Sequence, residues 1–225
     1  PLMLLMALLI IVFFMLNLLL GTVHIPLKSV VAILCGSTDE SVIWQNIVLK
    51  SRVPQALTAL VAGAGLSVSG LQMQTVFHNP LAGPSVLGIS SGASLGVAFI
   101  ILLSGSLGGV ALSKMGYMGE AALSVAAIIG ALSVMLLIVF VSQKVKGNVT
   151  LLIIGVMIGY VANAIIGVLK YFSVEEDIRA YVVWGLGSFA RVSGDQMMLF
   201  VCLMVFVTPL SFLLIKTMTL LLLGA

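Results

Sequence analysis

Long apolar runs separated by short polar stretches dominate the chain. The runs cover 2–22, 54–76, 85–104, 120–142, 149–170 and 197–223, and charge enters them only at their ends, apart from Lys216 in the last. Each reaches the roughly 20 residues a helix needs to cross the hydrocarbon of a bilayer. Backbone groups at that depth must pair within the protein, which leaves helices or closed barrels. Barrel strands alternate over about 10 residues, and these runs do not. The pattern therefore predicts an all-α, polytopic transmembrane helix bundle with six spans, forming one transmembrane domain over 1–225. The first run, Leu2 to Leu20, is broken only by Asn17 and follows no basic segment. It reads as a true helix whose upstream flank is missing rather than as a leader.

The connections differ in character. Residues 23–53 form a long link with Pro26, Lys28, Asp39, Glu40, Lys50 and Arg52, and Leu27 to Cys35 within it suits a short interfacial helix. The 77–84 link is short and carries Pro80 and Pro84; 105–119 is rich in Gly and Ser; 143–148 is tight and basic. In 171–196, Ile178 to Ala190 reads as a half-buried helix with Trp184 at the interface. Lys144, Lys146 and Lys216 fall on the side of the termini, against Lys28, Lys50, Arg52, Lys114, Lys170, Arg179 and Arg191 on the other. Raw charge counting thus puts the termini outside.

Small residues mark the helix faces. Gly88, Gly92 and Gly96 recur every four residues, as do Gly155, Gly159, Asn163 and Gly167, while Gly63, Ser67 and Gly70 share a face. Such stripes let backbones approach closely in lipid, so these glycines are expected at helix contacts. A polar group in mid-span is costly to leave unpaired. Asn163 is thus expected either on a neighbouring helix or on a pathway, and Gln72 and Gln74 near a span end are open to simple solvation.

Composition confirms the solvent. Hydrophobic residues make up 61% of the chain and charged residues 8%, where a soluble domain carries about 25% charged residues. The net charge of +3 is small and dispersed, so nucleic acid is not an expected partner. Cys35 and Cys202 stand far apart and read as free thiols. No P-loop, H-E-x-x-H or nucleophile elbow is present, and His24 and His78 are isolated, so no catalytic, cofactor or metal site is expected. No acid lies within a span to serve a proton relay.

Arg52 to Gly96 reads R-V-P-Q-A-L-T-A-L-V-A-G-A-G-L-S-V-S-G-L-Q-M-Q-T-V-F-H-N-P-L-A-G-P-S-V-L-G-I-S-S-G-A-S-L-G. This closely resembles the FecCD or BtuC type of permease, from ABC importers of siderophores, haem and cobalamin. That family carries R-L-P-R, G-A-x-L-x-x-S-G-x-x-x-Q, F-x-N-P-L-A-x-P and L-G-x-S-S-G-A-x-x-G in this order. Leu151 to Gly155 and Trp184-Gly185-Leu186-Gly187-Ser188 resemble its later L-L-x-x-G and W-x-x-G-S elements. Two positions depart from the pattern: Gln55 replaces the second Arg of R-L-P-R, and His78 stands where Arg is frequent.

The resemblance implies about ten helices, cytoplasmic termini, a bacterial cytoplasmic membrane and a homodimer with two ATPase subunits. It also implies a periplasmic or lipid-anchored substrate-binding protein. That orientation overrides the charge count, and the chain reads as the N-terminal part, stopping where a cytoplasmic coupling loop would begin. By motif, Asn79 and Leu81 narrow the cytoplasmic end of the pathway, with Gly147 and Asn148 following by position. Without the resemblance, an Asn before Pro is simply a good turn residue. Arg52, with Lys50 beside it, is implied in docking the binding protein, against the plainer reading of an interfacial anchor. The expected function is import of an iron-siderophore-type metal chelate driven by separate ATPase chains. Half of a secondary transporter, or a non-transporting scaffold, stands as the alternative.

Overall fold

The computed structural model of the chain describes residues 2–37, 39–106, 117–145, 147–190, 192, 194–214, 216–217 and 219. All regular structure among them is helical: α1 Leu2–Leu19, α2 Leu27–Leu34, α3 Val42–Ile47, a π-helical turn Val48–Arg52, α4 Val53–Phe77, α5 Ile89–Ser106, α6 Tyr117–Ser142, α7 Asn148–Tyr171, α8 Glu175–Gly185 and α9 Gly194–Phe212. Among the described residues, four stretches are long and apolar enough to cross a membrane: Leu2–Leu19, Val42–Phe77, Gly119–Ser142 and Asn148–Tyr171. The expected spans 85–104 and 197–223 coincide with shorter apolar helices, Ile89–Leu103 and Gln196–Phe212. Lys114, Lys146, Arg191 and the end of the sixth expected span, 220–223, lie outside the described residues.

Several boundaries depart from the sequence reading for local reasons. Helix begins at Val42, not at 54, because the Ser41 hydroxyl accepts the Trp44 N–H at 3.3 Å and no breaker follows for twelve residues. The run Val42–Phe77 has 36 residues, about 54 Å at 1.5 Å per residue. That exceeds the roughly 30 Å of hydrocarbon, so its polar first turns extend beyond it. The π turn falls just before Pro54. Proline has no N–H for residue 50 and its ring crowds that carbonyl, so the helix widens there.

The third run starts at Ile89 rather than 85, since 85–88 are turn residues and Gly88 has φ 73°. Helix α8 runs from Glu175 to Gly185 rather than from 178 to 190. Glu175, Glu176 and Asp177 suit a helix first turn, where carboxylates meet the positive end of the dipole. Gly187, at φ 68°, prevents its continuation. Trp184 is half-buried, as expected.

Contacts divide the chain into two compact units, one built on Pro1–Val68 and Ser188–Thr217, the other on Ser69–Gly187. The first has a core of Leu18, Ile25, Val30, Ile33, Val48 and Ala56, where the end of α1, α2, the π turn and the start of α4 meet. The second is organised around α5, which packs against α6, α7 and α8. One cluster there joins Val97, Ala98, Ile101, Leu102, Ile166 and Tyr181, and another joins Phe77, Ala82, Leu87 and Ile138.

Candidate functional site

The turn after α4 is specified residue by residue. His78 adopts φ 48°, and its N–H reaches the Thr75 carbonyl at 3.3 Å while the Asn79 N–H reaches Gln74 at 3.1 Å. This paired pattern closes a helix end and normally takes Gly at the left-handed position. Asn79 Oδ1 accepts the Leu81 N–H at 2.9 Å, and the Ala82 N–H donates to the Asn79 carbonyl at 3.0 Å. Asn79 thus folds its own turn, Pro80 fixes one φ of it, and Ala82 tucks beneath at 3% exposure. Leu81, at 85% exposure, is left displayed on the outside.

Asn148, the first residue of α7, donates from Nδ2 to the Val76 carbonyl at 2.9 Å. Val76 lies in the last turn of α4, where carbonyls lack helical partners. This bond brings the 143–148 link to within three residues of Asn79 along the chain. Gly147 has φ 113°, a conformation that only glycine adopts readily. Asn79, Leu81, Gly147 and Asn148 therefore gather at one end of the second unit.

The glycine stripes separate into two classes. A Cβ on Gly88 would lie 2.7 Å from the Gly155 carbonyl and 3.2 Å from the Gly159 N; one on Gly155 would lie 2.7 Å from the Leu87 Cα. A Cβ on Gly159 would meet the Ser91 hydroxyl at 3.3 Å. A Cβ on Gly92 would sit 2.6 Å from the Gly130 carbonyl, and Gly96 lies backbone to backbone with Ala126 and Gly130. These five expected packing glycines hold α5 to α6 and α7. Gly130, on α6, is the partner that no stripe singled out. Gly63 and Gly167 depart from this expectation: among the described residues nothing lies within 4 Å of a Cβ built on either. Asn163, in mid-α7, is exposed, as is Gly167; both continue the stripe of Gly155 and Gly159 at the edge of the face that buries Gly155, Gly159, Ala162 and Ile166.

At the far end of α7, Ser173 Oγ lies 3.1 Å from the Leu102 carbonyl and 2.6 Å from that of Leu169. Tyr181 of α8 hydrogen-bonds Ser94 of α5, and Lys170 Nζ sits 4.8 Å from its ring centroid. Asp177 is 8% exposed, and its Oδ2 has no partner among the described residues. Burial, then the neighbouring Glu176 charge, pushes its carboxyl above the ordinary carboxylate value.

Arg52 is the other departure. Position suggested a water-facing charge; instead it is 5% exposed. Nη1 donates to the Leu18 carbonyl at 2.8 Å and to Leu19 at 3.1 Å, and Nη2 donates to Val23. The cation thus closes the negative end of α1. Gly21 makes the room, since a Cβ there would lie 2.7 Å from Nη2. Lys50, two residues earlier, is exposed. Among the described residues no group of three or more His, Cys, Asp or Glu is placed to hold a metal ion. Cys35 and Cys202 are free and exposed.

Several long apolar helices held by close glycine crossings define a multi-pass membrane protein. The chain belongs to the FecCD transport family, whose pattern matches residues 8–225. It is 34% identical over 177 residues to the vitamin B12 import system permease protein BtuC of Photorhabdus laumondii, covering 78% of this chain and 48% of that one. It is 38% identical over 165 residues to the hemin transport system permease protein HmuU of Yersinia pestis, covering 72% and 46%. The chain therefore spans about half the length of these curated relatives. A solved inward-facing structure of a transporter described as of metal-chelate ABC type superposes with a TM-score of 0.73 at 25% identity, over 96% of this chain and 62% of that one.

Proposed function

We propose that this chain is the N-terminal part of a permease subunit of an ABC importer that carries an iron-siderophore-type metal chelate across a bacterial cytoplasmic membrane. In this reading Ile89–Leu103 and Gln196–Phe212 also cross the bilayer, giving six spans. Two permease copies enclose the pathway, a separate ATPase supplies the energy, and a periplasmic or lipid-anchored protein delivers the chelate. The observation that carries the reading is the Asn79–Ala82 turn, which stands at the motif position of the family and is joined to the start of α7 by Asn148. Leu81 is the apolar side chain that this turn displays toward the pathway, and Asn163 lines it further along α7. In sequence, a helix long enough to cross a membrane separates Arg52 from Asn79, which supports cytoplasmic placement of the turn and outer placement of Arg52. Docking of the binding protein then falls to the exposed Lys50, because the Arg52 guanidinium is occupied by backbone carbonyls.

The secondary-transporter and scaffold alternatives are not favoured beside the family match. The test is uptake into proteoliposomes holding the full-length permease with its ATPase and binding protein. ATP-dependent uptake of ferric siderophore in preference to haem and cobalamin supports the reading. Preference for haem or cobalamin overturns the choice of chelate, and no uptake by an assembled complex overturns the importer. The chain of 225 residues alone, mixed with ATPase, is expected to show no ATP-driven uptake.

A further inference from the structure

Helix α2 presents two faces. Val30 and Ile33, at 1% and 3% exposure, enter the core of the first unit together with Ser29. On the other side Leu27, Val31 and Leu34 are 57%, 45% and 41% exposed. Their i, i+4, i+7 spacing makes them one stripe along the helix. Exposed apolar residues arranged this way need a cover, and single exposed leucines do not.

The cover is indicated by what the stripe continues. Helix α1 is exposed over nearly all of its apolar surface, Leu18 being its buried residue, and lipid is the solvent that such a surface requires. Leu20 and Val23, 70% and 39% exposed, carry the apolar surface from the end of α1 to Leu27. Arg52 fixes the angle at which the chain leaves α1, through the Leu18, Leu19 and Val23 carbonyls. At eight residues α2 is too short to span. Lys28 is exposed a quarter turn from the stripe, with a stem that can follow the apolar face while its ammonium reaches outward. Asp39 and Glu40 lie beyond the helix C-terminus, away from Lys28. An apolar stripe flanked by a cation on a short helix at the end of a span matches an interfacial helix.

We propose that α2 is a membrane-surface contact of this protein. Leu27, Val31 and Leu34 seat at the boundary of headgroups and acyl chains, and Lys28 meets an anionic phospholipid headgroup. The contact fixes the depth of the corner that joins α1 to α4. The proposal rests on the reading that α1 crosses the bilayer, and the experiment separates the two.

Cys35 and Cys202 are replaced by Ser in the full-length permease, and a nitroxide is placed at Val31→Cys or, as control, at Phe13→Cys in α1. Collision rates with oxygen and with a water-soluble nickel chelate are measured in nanodiscs with and without phosphatidylglycerol. The Val31 label is expected to favour oxygen over nickel, at a shallower depth than the Phe13 label. It is expected to move deeper when phosphatidylglycerol is present, and Lys28→Glu is expected to abolish that movement. A Val31 label open to nickel, beside a lipid-exposed Phe13 label, overturns the proposal alone. A Val31 label shielded from both reagents means that protein covers the stripe and overturns it too. Depth indifferent to Lys28→Glu overturns the headgroup contact. A Phe13 label open to nickel overturns the reading of α1 itself.

Discussion

The corner around Arg52 and the crossing around Gly130 solve the same problem with opposite means. At the corner, one long charged side chain fills the space and supplies donors to the Leu18 and Leu19 carbonyls left open at the end of α1 and to the Val23 carbonyl beyond it. At the crossing, side chains are absent, and the backbones of α5 and α6 approach through Gly92, Gly96 and Gly130. The first depends on hydrogen bonds from a buried guanidinium, where an unmet carbonyl is penalised. The second depends on dispersion and shape, which is what remains when lipid removes the hydrophobic drive between helices. The corner should therefore be sensitive to chemistry at constant size, and the crossing to size at constant chemistry.

The largest effect is expected at the crossing. Gly130→Leu forces a side chain into the Gly92 backbone, and overpacking of this kind costs about 3 kcal/mol or more. Loss of the monodisperse peak of the purified permease in detergent checks it, and a folded, unshifted protein breaks the comparison. Next comes Arg52→Ala, which strands buried carbonyls and is expected to lower stability by roughly 2–3 kcal/mol. Arg52→Lys keeps the charge but loses the fork, so it should recover only part of the thermal midpoint. Full recovery would mean that charge alone holds the corner.

The third test is a pH dependence. The Asp177 carboxyl is raised in the folded state from its ordinary 3.8 by burial and by Glu176. The folded state therefore holds its proton longer, and stability falls as pH climbs from 3.8 through the raised value. Asp177→Asn should flatten that part of the profile and raise the thermal midpoint at neutral pH. Thermal unfolding from about pH 4 to about pH 7 reads it, and an unchanged slope contradicts the assignment. The smallest effect belongs to Gly63→Ala and Gly167→Ala. With open space at both, the gain in helix propensity of about 0.5–1 kcal/mol is expected without a clash. Destabilisation there would show that protein beyond the described residues covers these faces.

The same comparison explains what the sequence made legible. Apolar runs located the helices because lipid demands continuous hydrophobicity, and glycine spacing located the α5–α6–α7 contacts because backbone approach tolerates no other residue. Gly63 and Gly167 follow the same spacing yet meet no neighbour among the described residues, since periodicity names a face and not what covers it. Arg52 was misplaced because a charge beside an apolar run resembles an interfacial anchor; its acceptors lie 29 to 34 residues away and carry no side-chain signature. The Asn79 turn was readable from Asn-Pro-Leu-Ala alone, and the resemblance set Asn148 beside it by position; the bond from Asn148 to the Val76 carbonyl, 72 residues away, needed the fold. Asp177 gave no signal at all, because acidic first turns of helices are usually exposed.

Under the proposed function, the Asn79 turn holds the exposed Leu81 side chain toward the pathway. The most direct test of this placement is a single cysteine, Leu81→Cys, in the cysteine-free full-length permease reconstituted with its ATPase and binding protein. A membrane-impermeant maleimide added from the cytoplasmic side is expected to label it, to do so at a different rate once ATP is trapped with vanadate, and to block uptake. Labelling at one rate in every nucleotide state, with uptake intact, would contradict the account and leave Asn79 as the architect of an ordinary turn.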